Sequence, residues 1–305
     1  MATPEYMKWL PARTIERLGR LEFLARGTMD GFVSGRHRSA RKGASVEFAQ
    51  HREYAPGDDL RNLDWRLVAR RQRCYVREYV DETNLRATIL LDASGSMSYR
   101  GDVAAGGLSK FDYARRLAAA LAYVLIRQQD AVGLVAFDSK VRLSMPPKAS
   151  PSQLRHILAG IDGLSVGGES DIAAVLHEAA ERTPRRSMVF IIGDMFGDAE
   201  AILRALHHFR FRHDEVAVLH VLAEEEVEFP FREAYRFEDA ESPAFMNIDS
   251  LALRKGYLEQ FNEYMTRLHR GMGEMRVTHE VVDTSRPCED VLSDILVRYS
   301  QTRGV

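Results

Sequence analysis

Asp92, Ser94 and Ser96 stand in a D-x-S-x-S spacing directly after the apolar run of residues 87–91. One tight turn thus offers a carboxylate and two hydroxyls, hard ligands suited to a small divalent cation such as Mg²⁺ or Mn²⁺, with no soft ligand beside them. Asp, Ser and Gly are also ordinary loop formers, so a loop in which Asp92 merely accepts backbone amides has the same spelling. A second apolar run, residues 187–193, ends in Asp194 in the same manner. Gly167-Gly168-Glu169-Ser170 brings a further hydroxyl to a helix start, where a serine commonly serves as an N-cap.

The elements needed to hold these groups follow from periodicity. Residues 86–92, 131–137, 187–194 and 215–222 are apolar and partly β-branched, the pattern of strands buried on both faces. Residues 141–145 alternate like a half-exposed edge strand paired to 131–137. Between them, 110–129, 151–164 (Ser150 as N-cap, Pro151 at the first position), 173–182 and 199–210 repeat apolar residues at helical spacing. A long helix over 249–272, a strand over 275–282 and a helix over 286–299 close the chain. Strands alternating with helices predict an α/β fold: a doubly wound, mostly parallel sheet with one antiparallel edge strand and an N-terminal helical and loop-rich extension. Ligands of such sheets collect at the carboxyl ends of the strands, where Asp92 and Asp194 fall. Asp283-Thr284-Ser285 copies part of the motif at another strand end, but without a second set of hydroxyl loops it suits a helix-capping turn.

The organisation expected is an N-terminal helical segment over 1–34, a basic segment over 35–82, and an α/β domain over 83–305 with an acidic hairpin insertion at about 223–248. The 305 residues and 45% hydrophobic content suffice for a proper core, and the net charge is −2. Residues 31–80 hold eleven Lys/Arg against six Asp/Glu, so the positive charge is local. No run of about eighteen apolar residues occurs and Met1–Leu10 lacks the pattern of a signal peptide, so a soluble, cytoplasmic protein is expected. Cys74 and Cys288 suggest neither a disulfide framework nor a zinc knot, and His207-His208 lacks the spacing of a catalytic zinc site.

The stretch from Gly35 to Arg70 reads G-x-h-x-S-x-x-x-G, E-F, R-x-Y-x-P-G-D-D-x-R-x-x-D-W-R-x-x-A-R, followed by Glu82 and the D-x-S-x-S strand. It resembles the domain of unknown function 58 family, whose α/β domain is similar to von Willebrand factor A domains and carries their metal-ion-dependent adhesion site. The resemblance spans about residues 30–300. It implies that Asp92, Ser94 and Ser96 hold the cation together with Ser170, which stands where such domains commonly have Thr, and Asp194, which often acts through water. It also implies weakly bound Mg²⁺ or Mn²⁺ with one coordination position left for a partner's carboxylate, and a MoxR-type AAA+ ATPase as the partner of a non-enzymatic adaptor in a chaperone-like or cofactor-insertion system. Arg52, Tyr54, Asp58, Asp59, Arg61, Asp64, Trp65 and Arg66 are the candidate partner-binding residues of the basic segment.

Two other functions remain open on sequence. A metal at the carboxyl edge of an α/β sheet also describes phosphoryl-transfer enzymes. Against this, no G-x-x-x-x-G-K-[ST] phosphate loop occurs, no nucleophile is visibly paired to a base, and no histidine is expected near the strand ends. Alternatively, Arg36, His37, Arg38, Arg41, Lys42, Arg70, Arg71, Arg73 and Tyr75 could grip nucleic-acid phosphates, although the six interleaved acids favour internal ion pairs.

Overall fold

A computed structural model describes residues 8–18, 46–54, 63–65, 67, 74–81, 85–101, 107–168, 171–241 and 244–301. The chain divides into two compact units, residues 33–84 and the remainder (Met1–Phe32 with Leu85–Val305).

In the smaller unit, strands β1 (Val46–Glu53) and β2 (Tyr75–Asp81) pair antiparallel, with a register shift between Phe48 and Gln50. Leu63 bridges to Val76, and both side chains are buried.

The larger unit is built on a six-stranded sheet in the order β10-β7-β6-β3-β4-β5. Its strands are β3 (Arg86–Asp92), β4 (Ala131–Phe137), β5 (Val141–Lys148), β6 (Met188–Gly193), β7 (Glu215–Leu222) and β10 (Thr278–Asp283). All pairs are parallel except β4 with β5. This is the α/β architecture expected, with β5 as the antiparallel edge, its side chains alternating between half-buried and exposed.

Alternate residues of each strand enter two separate cores, as the two-residue side-chain period requires. Ala87, Ile89 and Leu91 face helices α1 (Lys110–Arg127), α2 (Pro151–Asp162) and α7 (Cys288–Gln301). Leu90 faces the other way, toward α3 (Ile172–Arg182), α4 (Ala199–Phe211) and α6 (Ser250–Glu274). Trp9, Leu10 and Leu18, from a short N-terminal helix over 12–18 and the turn before it, join the first core. There Trp9 Nε1 donates to Asp162 Oδ1 at 3.1 Å and the Arg115 guanidinium covers its ring. The rest of the expected N-terminal helix lies outside the described residues.

The acidic stretch after β7 forms a one-turn helix, α5 (Glu224–Glu228), and then a hairpin of β8 (Ala234–Glu238) and β9 (Phe245–Asp249). The helical turn was not anticipated. Two helix starts also differ from expectation in their caps. The Ser150 hydroxyl lies 3.0 Å from Ser152 Oγ and makes no capping bond, and α3 is capped by Asp171, whose Oδ1 accepts from Ala174 N. The last strand begins at Thr278, later than expected, because Met275 caps α6 and Arg276 turns the chain with φ +57°. At 283–285 a local turn forms, with Ser285 N donating to Asp283 Oδ1 at 2.8 Å, ahead of the helix that begins at Cys288.

Candidate metal centre

Asp92 ends β3 between β4 and β6, at the carboxyl edge of the sheet's middle. Its Oδ1 accepts from Ser94 N at 2.9 Å, which folds the loop back over the strand end. Ser94 Oγ and Ser96 Oγ then lie 3.1 Å apart, with Ser96 at the first turn of a 3₁₀ segment, Gly95–Ser98. Ser94 is fully buried and Ser96 half-buried.

The glycine-rich loop is fastened to this one by two backbone bonds. Gly167 N donates to Ala93 O and Gly95 N donates to Gly168 O, both at 3.1 Å. Gly168 has φ +89°, a conformation that L side chains rarely adopt, so the crossing depends on glycine there. Ser170, the next hydroxyl along, lies outside the described residues.

Asp194 follows β6 on the neighbouring strand. The preceding Gly193 leaves Asp92 its space, since a β-carbon on Gly193 would stand 2.7 Å from Asp92 Cβ and 2.9 Å from Asp92 Oδ2. Asp194 Oδ1 accepts from Phe196 N at 3.2 Å, a bond made possible by the left-handed turn at Met195 (φ +48°). The Ser96 hydroxyl also bonds to Asp194. Asp92, Ser94, Ser96 and Asp194 therefore converge as the sequence led us to expect.

Two residues that sequence reasoning missed complete the crevice. Lys110, the first residue of α1, donates from Nζ to Asp194 Oδ2 at 2.9 Å and to Glu226 Oε1 at 2.7 Å. Glu226 Oε2 in turn accepts from Ala223 N at 2.8 Å. The lysine side chain is 2% exposed. No motif announces this pair, because the glutamate arrives from an insertion more than a hundred residues away. The expectation of no histidine near the strand ends also needs correction. His220 on β7 is buried beside Gly193 and donates to the Asp194 backbone carbonyl. Its Nδ1 lies 3.0 Å from His279 Nε2, and His279 Nδ1 lies 3.3 Å from His269 Nδ1.

The two aspartates differ in charge state. Burial, then the charge on Asp194, pushes the Asp92 carboxyl up to about 7. Burial also presses Asp194 upward, but the Lys110 ammonium and the bonds from Lys110, Ser96 and Phe196 outweigh it and hold the group below its ordinary value. Lys110 is raised despite burial, by Asp194 and Glu226. Asp92 Oδ2 is buried with no hydrogen-bond partner among the described residues. Such an atom calls for a proton or a cation. Among the described residues no group of three or more His, Cys, Asp or Glu is arranged to hold a metal; what Asp92, Ser94 and Ser96 offer is a carboxylate and two hydroxyls, all oxygen. That set fits a hard divalent cation bound with modest affinity.

Of the candidate partner-binding residues, Tyr54 is half-buried with its N bonded to Cys74 O at 2.9 Å. Asp64 Oδ1 accepts from Leu67 N at 3.2 Å, and Trp65 is 66% exposed. The Arg52 side chain, Asp58, Asp59, Arg61 and Arg66 lie outside the described residues. So do Glu82 and the candidate nucleic-acid residues Arg36, His37, Arg38, Arg41, Lys42, Arg70, Arg71 and Arg73; Tyr75 is described and half-buried.

The six-stranded, mostly parallel sheet with helices on both faces, its middle strand ending in the D-x-S-x-S loop, is the α/β fold that the resemblance implied. Solved structures to which the chain is similar include BatB from Bacteroides thetaiotaomicron (16% identity, 72% of this chain and 100% of that one, TM-score 0.41) and the SpRpn10 VWA domain (10%, 73% and 99%, TM-score 0.35). The chain belongs to the family described as "Protein of unknown function DUF58", which matches residues 50–267. Its relatives include the uncharacterized proteins Rv1480 of Mycobacterium tuberculosis and Mb1516 of Mycobacterium bovis, each 27% identical over 228 residues, 74% of this chain and 70% of theirs. Among the described residues no helix is long and apolar enough to cross a membrane.

Proposed function

We propose that this protein is a non-enzymatic, divalent-cation-dependent interaction module. Asp92, Ser94 and Ser96 hold Mg²⁺ or Mn²⁺, Ser170 adds a hydroxyl, Asp194 acts from behind, and a partner protein supplies a carboxylate. The observation that carries this reading is the buried, unpartnered Asp92 Oδ2 beside two hydroxyls at a sheet's carboxyl edge. When bound, the cation supplies a point of positive charge that attracts and orients an anionic side chain. Phe196, 70% exposed and two residues after Asp194, offers apolar contact area of the kind protein interfaces use.

Catalysis is disfavoured by the state of Lys110. Held protonated by two carboxylates, it cannot take a proton from Ser94 or Ser96, and the carboxylates beside those hydroxyls are read here as holding the cation. A MoxR-type AAA+ ATPase as the partner rests on the family resemblance.

The test is isothermal titration with Mg²⁺ and Mn²⁺ of the wild-type chain and of Asp92→Asn, followed by co-purification with the ATPase in Mg²⁺ and in EDTA. Cation binding abolished by Asp92→Asn, with retention only in Mg²⁺, is expected. Cation-independent retention of the same ATPase would refute the proposal.

A further inference from the structure

The hairpin of β8 and β9 reaches the metal loop. A β-carbon on Gly95 would lie 2.7 Å from the backbone oxygen of Ala240, 3.0 Å from Glu241 Cγ and 3.2 Å from the oxygen of Gly168. The hairpin tip, the D-x-S-x-S loop and the glycine-rich loop thus meet at one residue. Gly95 is buried there, although it belongs to the loop that would face a partner. The tip is shaped by its own bonds: Asp239 N donates to Ala244 O and Asp239 Oδ1 accepts from Glu241 N. Glu241 Oε1 is withdrawn from solvent.

The rest of the hairpin is held through an aromatic cluster. Phe237 stacks on Phe229, which packs on Tyr257 of α6. Tyr235, Phe245 and Met246 are exposed by 43%, 56% and 64%. Tyr235 and Phe237 both pack on Phe231, so the hairpin rests on one small aromatic cluster; a two-stranded hairpin held at one such point is marginal by itself and can open locally.

We infer that Glu241 is a metal ligand supplied in cis: its carboxylate takes the coordination position that a partner's carboxylate completes, and the hairpin is a cover the partner must displace. This rests on the cation reading above. Tethering holds the carboxylate at millimolar effective concentration, so an isolated acidic peptide competes poorly and only a partner with further contacts opens the site.

The experiment compares the wild-type chain with Glu241→Gln, Glu238→Gln and Asp92→Asn, each with its unfolding midpoint measured. Mn²⁺ is titrated into each while free Mn²⁺ is followed by electron paramagnetic resonance, and amide exchange over residues 234–249 is recorded with and without Mn²⁺. Glu241→Gln is expected to weaken Mn²⁺ binding at least about tenfold, the loss that removing even an outer-shell partner of a metal site brings. It should also abolish a Mn²⁺-induced slowing of hairpin exchange. Glu238 is paired with Arg236 on the same hairpin, and its replacement should change neither readout. Equal affinity in Glu241→Gln, or equal losses in Glu238→Gln, overturns the assignment while leaving Asp92-dependent binding intact. Absence of any Asp92-dependent Mn²⁺ binding overturns the cation reading and this inference together.

Discussion

Lys110 Nζ lies 2.9 Å from Asp194 Oδ2, with both side chains almost excluded from water at 2% and 4% exposure. The crevice therefore contains its own monovalent cation next to the carboxylate expected to attract a divalent one. Removing one partner of a buried pair leaves an uncompensated charge, at a cost of ~3–5 kcal/mol. Lys110→Met should lower stability by about that amount in urea unfolding. Lys110→Met with Asp194→Asn should recover much of it, since the fully buried stranded charge is gone and Glu226, the other partner, is partly open to water.

Asp92 gives the metal-free protein a distinctive pH dependence. Its folded-state value, about 7, lies above the ordinary 3.8, so between those limits the fold binds a proton that the unfolded chain does not. Stability from this group is therefore present at low pH and lost as pH rises toward 7, by up to about 1.4 kcal/mol per pH unit. Thermal unfolding in EDTA at pH 8 should show Asp92→Asn more stable than the wild type. Mn²⁺ affinity should fall as pH drops below about 7, because the ion competes with that proton.

The histidine chain works in the opposite sense. Burial holds His220 down at about 4, against the pull of Asp194; burial and then the neighbouring His220 and His269 hold His279 at about 3. The unfolded chain takes up protons near 6.5 that the fold refuses, so stability falls as pH drops from 6.5 toward 4. Because Asp92 contributes the reverse slope over part of this range, the check is a difference. The stability of His279→Gln should decline less steeply than that of the wild type between pH 7 and 5, measured by urea unfolding.

Gly193 supplies room for Asp92, and nothing larger fits. Gly193→Ala would bring a methyl to 2.7 Å from Asp92 Cβ. Overpacking of this kind costs ~1–3 kcal/mol. Because the displaced atoms belong to the candidate ligand, Mn²⁺ binding should weaken in the same variant, while the equivalent change at Gly256, where a β-carbon meets nothing within 4 Å, should leave binding intact.

The fold was legible where periodicity was strong. Residues 131–137 and 187–193 had to be strands buried on two faces, and connecting such strands through helices makes the sheet mostly parallel; the order of its strands was not legible. Asp92, Ser94 and Ser96 were legible because one turn carries all three. Lys110 was hidden because a lysine at a helix start has no local mark, and its partners come from β6 and from the insertion. His220 was hidden for a related reason. Within the run Glu215–Leu222 it occupies one position among apolar neighbours, and only the pairing with Gly193 turns its ring toward Asp194. The acidic insertion was recognised as a hairpin, but nothing local could place its tip against Gly95, since that contact joins positions more than 140 residues apart.

The edge strand β5 carries Pro146 and Pro147 in succession. Neither proline has an N–H to donate, and both fall within the irregularity of the β4–β5 pairing, so the ladder is interrupted there. A register shift between Val132 and Leu134 adds a local kink beneath them. A neighbouring chain laid along β5 would find a broken ladder, which blunts aggregation and strand exchange on this flank. The sheet consequently resists being lengthened sideways at β5, and association there by borrowed backbone pairing gives way to contacts made by side chains alone.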